Sequence, residues 1–501
     1  MPPDNAQNPM LGIDLGTTFS SIARWDGRGP EVYETTTGGM DLQSVVYYDP
    51  EKKEFLVGKL AFRRGMVHPE NMALGVKRCM DNAALRIKVG GCEFSPIELS
   101  AKILSRLYGG VVEKFPRGKF RSRGTVVTVP YYFKAHQCEN TRKAAEMADI
   151  ECIGLLQEPI SASLSYAWKY AKDHPDTEDE ENIVVFDLGG GTFDLTLFRL
   201  QQTKDKMLFE VLATDGNDRI GGMDFDECLA KWLLAKGGLS LDGLPDLDKR
   251  RAWQKVLEQA TETKIGLGQE TETTVSVANV VADRHIEVDV ARTDFERCIK
   301  PYRDKVQLIV ERLMSNAGLG PDKVSRVIRV GGSSKIPCMK TLLIDYFGED
   351  RLYGDINPLT CVAEGAALYA AYVDDPAVLG RDIEITTRTC HALGVKAQGG
   401  RFQRLILSNR KAPCEFTQMF TNTADDMESL DINVYQGGSD HVKDNALIGT
   451  VHVPGLPKRP KETLDIAVTF RVSAAQLLAV KVVVKGDSFP VVEREAPFKL
   501  A

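Results

Sequence analysis

Two short stretches carry the same chemistry-bearing pattern. Asp14-Leu15-Gly16-Thr17-Thr18 follows apolar Leu11 and Ile13, and Asp187-Leu188-Gly189-Gly190-Gly191-Thr192 follows the apolar run from Ile183, 173 residues later when Asp14 is set on Asp187. In each, a carboxylate ends an apolar strand and a glycine turn leads into a second, alternating strand. Glycines in such a turn reach φ > 0 and bare backbone N–H groups, which together with threonine hydroxyls can cradle phosphate oxygens. Asp14, Asp187 and the nearby Asp194 would set carboxylates beside those phosphates, where a cation must offset the repulsion. Mg2+ suits that role because it keeps several waters and takes few carboxylates. One such turn also describes an ordinary hairpin, but two matching copies point to phosphate binding. A third corner, VIRVGGSSKIP at 327–337, puts Gly331 and Gly332 after a buried strand, open to a flat or sugar-like group. No GxxxxGK[ST] occurs, so a nucleotide would not be held by a P-loop.

Two copies this far apart imply a duplicated pair of lobes facing a cleft rather than a short-period solenoid. Helix-spaced apolar residues at 98–115 and a helix-permissive stretch at 136–150 alternate with strands such as 125–130. That alternation predicts an α/β fold over the first ~370 residues. After Ala371, DDPAVLGRD reads as a linker. From about Thr387 short alternating segments separated by turn residues predict an all-β sandwich. The expected division is a nucleotide-binding domain at 1–373, a linker at 374–388 and a β-sandwich at 389–501.

The 501 residues are 43% hydrophobic and 27% charged, which excludes a wholly disordered, collagenous or membrane-embedded chain. Sixty-three Lys and Arg against 70 Asp and Glu give a charge of -7, which gives no support for a general nucleic-acid or anionic-membrane binder. The first ten residues lack a basic and apolar leader, and no apolar run approaches the ~18 residues of a membrane span. A soluble, cytoplasmic protein is expected. Ten scattered cysteines without a CxxC pair read as reduced, mostly buried thiols.

LGIDLGTTFS, VPYYF, EPISASLSY, FDLGGGTFDLTL, GGMDFD, RVGGSSKIP and NPLTCVAEGAAL occur in this order. They resemble the 70-kilodalton heat-shock chaperones, members of the actin and sugar-kinase ATPase superfamily, and the resemblance runs on through KDNALIG and LDIAVTF over nearly the whole chain. It implies a two-lobed, actin-like (duplicated ribonuclease H-like) ATPase domain followed by a β-sandwich that grips extended, unfolded polypeptide segments. ATP or ADP with Mg2+, and K+ in addition, would be the cofactors; a J-domain co-chaperone and a nucleotide exchange factor would be partners.

By that resemblance Asp14, Asp187 and Asp194 hold the hydrated Mg2+. Gly16, Thr17, Thr18, Gly189, Gly190, Gly191 and Thr192 form the phosphate turns. Lys77 positions the attacking water, and Glu158 lies beside the metal, next to a switch whose proline is Pro130. Catalysis falls to Lys77, Glu158, Asp187 and Thr192. Gly222, Lys264, Gly331, Gly332, Ser333 and Lys335 take the adenosine side, where Thr261, Gly268 and Leu359 replace a usual glutamate, serine and aspartate. Weaker nucleotide affinity is expected from those losses. Val395, Phe420, Leu430 and Ile432 match the peptide groove, although as plain sandwich core they would look the same, and Gln398 and Thr423 match its arch.

Coupling between the domains reads as weak. Cys138 stands for a usual arginine, and Glu384 in the linker is expected to resist docking in an apolar slot. The family's helical lid does not follow the sandwich, so fast peptide exchange is expected. The other readings are a nucleotide-dependent binding module with a dedicated partner and little turnover and, behind it, a sugar kinase or a filament-forming actin relative.

Overall fold

A computed structural model describes the chain except for residues 1–7, 36–37, 116–119, 121, 174–178, 355, 474–476, 486–490 and 500–501. Two sheets with one topology position the twin turns. In the first, strand Met10–Asp14 pairs antiparallel with Phe19–Trp25, which pairs antiparallel with Pro30–Val32. On its other side Met10–Asp14 runs parallel to Gly124–Val129, and that strand runs parallel to Cys152–Gln157. The second sheet repeats the order with Asp179–Leu188, Phe193–Gln202, Lys206–Asn217, Arg326–Val330 and Leu352–Tyr353. Even the register agrees, since Asp14 lies opposite Ser21 and Asp187 opposite Asp194.

The inner parallel strand Gly124–Val129 is enclosed on both faces, with all six residues buried, which is why it reads as a run without polar alternation. Helix Cys361–Asp374 packs on the first sheet and on helix Glu158–Asp173. Small residues allow it: a Cβ at Gly365 would stand 1.8 Å from the Ser161 carbonyl oxygen. Helix Pro96–Val112 starts two residues earlier than its apolar spacing indicates. Ser95 and Glu98 close a capping box there, with proline at the first helical position. No helix among the described residues is long and apolar enough to cross a membrane.

Asp382–Thr386 joins the second sheet as its sixth strand, parallel to Lys206–Glu210. The expectation that Glu384 would resist docking is therefore wrong, and the reason is the two-residue period of a strand. Ile383 is buried and Ile385 packs against the same core, while Glu384 points to the opposite face and pairs with Lys206. Glu384→Ala should accordingly shift the melting midpoint by less than about 2 °C, because an exposed pair contributes little. Ile383→Asp should release the linker to protease. Both are read by calorimetry and limited proteolysis.

The C-terminal part is two packed four-stranded antiparallel sheets. One runs Phe402–Ile406, Ala392–Lys396, Ser429–Gly437, Ala446–Pro454; the other runs Cys414–Phe420, Asp465–Val472, Leu477–Lys485, Val492–Lys499. Val434, Val468, Phe470, Val480 and Val482 fill the space between them. All ten cysteines are free, but only Cys138, Cys338 and Cys361 are buried; Cys92 is exposed and the other six are intermediate, so "mostly buried" overstates their enclosure.

Candidate functional site

The twin turns meet. A Cβ on Gly190 would stand 2.3 Å from the Thr18 hydroxyl oxygen, and one on Gly191 would stand 2.5 Å from the Thr17 methyl. Only glycine lets the two lobes approach this closely. The second turn is fixed from behind by Gly222 N–H donating to the Gly189 carbonyl (3.0 Å) and Met223 N–H to that of Gly190 (2.9 Å). Gly16 is held by the Ser44 hydroxyl donating to its carbonyl at 2.8 Å.

Acids gather at the strand ends around one cation. Lys77 is 6% exposed and its Nζ lies 2.5 Å from Glu158 Oε1, at the start of helix Glu158–Asp173. Burial opposes its charge, but Glu158, Asp14 and Asp194 outweigh that and hold its pKa above the ordinary lysine value. For the acids, burial acts first and the Glu158 carboxylate adds to it. Together they push Asp14 and Asp194 up to about 7 and Asp187 well above the usual range. Asp14 accepts from the Thr128 hydroxyl at 3.2 Å and Asp194 from the Tyr132 N–H at 3.2 Å. Three enclosed aspartates and a glutamate facing a single ammonium leave an excess of negative charge that suits an added cation. Among the described residues no three acids, cysteines or histidines converge closely enough to ligate a metal directly.

Beside the turns, Lys264 Nζ lies 2.7 Å from Asp226 and within 3.4 Å of the Gly222 carbonyl. A Cβ on Gly222 would approach the Ser333 hydroxyl at 2.7 Å. Gly331 (φ +78°) closes against Leu188, and a Cβ on Gly332 would lie 3.9 Å from Leu359. Lys335 is exposed. Gly222, Lys264, Gly331, Gly332 and Ser333 thus flank the twin turns.

The family model described as "Hsp70 protein" matches residues 10–84 and 80–493. The chain belongs to the Hsp70 family. Two curated relatives, each called "Chaperone protein DnaK", come from Deinococcus radiodurans and Deinococcus proteolyticus; each is 32% identical over 94% of this chain and 76% of the relative.

In this Hsp70 the sandwich is docked on both lobes through the residues after Pro130. His391 Nε2 donates to the Tyr132 carbonyl (2.9 Å), Cys390 Sγ to that of Tyr131 (2.9 Å), and the Tyr131 hydroxyl to that of Arg388 (2.9 Å). Arg388 Nε donates to Val211 O at 2.7 Å, and Thr214 N–H donates to Asn409 Oδ1 at 3.0 Å. Cys138 sits in the same contact, lining a small pocket with Pro130, Cys390 and His391. The backbone of Tyr132 therefore touches both the site, its N–H donating to Asp194, and the sandwich, its carbonyl accepting from His391. Sequence reading did not single out Tyr132 or His391; VPYYF marks the first, and nothing in the sequence marks the second.

The six residues assigned to the peptide groove fall in two groups. Val395 and Ile432 are buried within the sandwich core, and Phe420 and Leu430 pack against it from partly exposed positions. Gln398 and Thr423 are exposed on the turns after Lys396 and Phe420.

Proposed function

We propose that the chain works as an ATP-hydrolysing chaperone of the Hsp70 type, in which residues 1–373 bind and hydrolyse the nucleotide, 374–388 form the linker and 389–501 hold an extended, unfolded polypeptide segment. Membership of the Hsp70 family carries the ATPase and the chaperone activity with it. The observation that carries the residue-level reading is the pair of interlocked turns, with Lys77 and Glu158 enclosed among three aspartates.

Phosphoryl transfer asks for in-line positioning and positive charge on the equatorial oxygens. Turn N–H groups and the hydroxyls of Thr17, Thr18 and Thr192 orient the phosphates, and Lys77, held by Glu158, supplies fixed positive charge beside the attacking water. Mg2+ bound through its waters to Asp14, Asp187 and Asp194 would offset charge on the phosphate oxygens. Gly222, Lys264, Gly331, Gly332, Ser333 and Lys335 take the sugar and base. K+ would accompany Mg2+, a J-domain protein and an exchange factor would act on the cycle, and the cytoplasm is the expected compartment.

Steady-state ATP hydrolysis with and without an extended apolar peptide and a J-domain protein tests this. Stimulation by either is the expected result. A flat response with tight binding of one partner would favour the dedicated binding module.

A further inference from the structure

We propose that Arg78 ties the two lobes shut over the bound nucleotide, so that the strength of this one tie sets how fast nucleotide leaves. The inference rests on the site being an ATP site. It adds a positioning residue that takes no part in the chemistry.

Arg78 belongs to the first lobe, on the short turn Val76–Cys79, and follows Lys77, whose ammonium goes to Glu158. Its guanidinium reaches the second lobe and bonds there twice over. Nε and Nη2 donate to the Gly191 carbonyl at 2.9 and 2.6 Å. Nη1 donates to Asp224 Oδ1 at 3.3 Å, and Nη2 also meets Asp224 Oδ2. Asp224 is in turn held by the Gly221 N–H at 2.8 Å, at the start of helix Gly222–Lys236. Beside the tie, a Cβ on Gly75 would stand 2.9 Å from the Met223 methyl, so a second contact between the lobes packs against the first.

Two consequences follow from the geometry. A planar trans peptide points its N–H opposite its C=O. Drawing the Gly191 carbonyl toward Arg78 therefore turns the Thr192 N–H the other way and fixes the plane of the phosphate turn. Second, every partner of the guanidinium is 113 or 146 residues away, on the other lobe. Parting the lobes must break all of these bonds together, while closing restores them. The pair is partly enclosed, with side chains 21% and 17% exposed, so water screens it less than a rim contact. Lysine could replace the charge but not the planar fork that serves two acceptors.

Stopped-flow release of a fluorescent ADP analogue from the full chain with Mg2+ tests the tie. Arg78→Ala should release it faster by a factor on the order of ten or more, the size expected for losing charge-assisted bonds, and should raise KM for ATP in step. Arg78→Lys should recover part of the loss. Asp224→Asn, which keeps the helix start polar, should move release in the same direction and serves if Arg78→Ala does not fold. A merely structural role would lower the melting midpoint of the nucleotide-free protein without changing release. Unchanged release in both variants, with the unaltered protein binding and hydrolysing ATP, overturns the proposal. Failure of the unaltered protein to bind ATP would instead overturn the reading of the site.

Discussion

Lys77→Ala should lower single-turnover ATP hydrolysis by about a hundredfold or more, the effect of removing a preorganised charge from an enclosed site, and calorimetry should still register ATP binding. The reason is the balance of charge. Lys77 is the cation that Glu158, Asp14 and Asp194 share, and its ammonium also lies 5.8 Å above the Phe133 ring. Truncation leaves Glu158 buried without its partner, a change that costs about 3–5 kcal/mol when one member of a buried pair is lost. Lys77→Ala with Glu158→Gln separates the two effects, since it removes the stranded charge and should regain stability without regaining turnover. Hydrolysis at the normal rate in Lys77→Ala would remove this lysine from the chemistry.

Acidification should undock the sandwich from the ATPase lobes between about pH 6.5 and 4, by at most about 4 kcal/mol for a displacement of two to three pH units. The group responsible is His391, whose pKa is pushed down to about 4 by burial, with Lys134 adding to the effect and the Tyr132 carbonyl and Asp218 working against it. The sign follows from where the proton binds. Undocked, the imidazole regains its ordinary pKa near 6.5 and takes up a proton below that pH, whereas the docked imidazole stays neutral until about pH 4. Docking is thus at full strength above 6.5 and weakens as pH falls. Protease cleavage within 374–388 followed against pH should rise through this window, and His391→Leu should flatten the rise. A profile that keeps its slope in the leucine variant would assign the titration to another group.

Much of the site could be read from the sequence because its signal is local. Asp14 and Asp187 each end an apolar strand and precede a glycine turn, and the two sheets reproduce their register. Lys77 and Glu158 are different, for they are 81 residues apart and only the family resemblance joins them. Arg78 sits beside Lys77 and Asp224 within GGMDFD, yet nothing local says that the two meet. Glu384 departs from the expectation drawn from its charge for a related reason. Its charge is evident in the sequence, whereas the face it occupies is decided by which residue of Lys206–Glu210 lies opposite. The final strand, Val492–Lys499, shows little alternation of its own, broken by Pro497, and gains its meaning from pairing with Leu477–Lys485.

The sixth strand of the second sheet has one more consequence. Asp382–Thr386 covers the backbone of Lys206–Glu210 only while the linker lies there. Whenever it peels away, the molecule carries a naked sheet margin with Met207 and Phe209 at its centre, open to any extended chain of matching length. Lys206 and Glu210 flank that margin with opposite charges, which oppose a parallel, in-register pairing of two such molecules, like against like, and leave an antiparallel one unopposed.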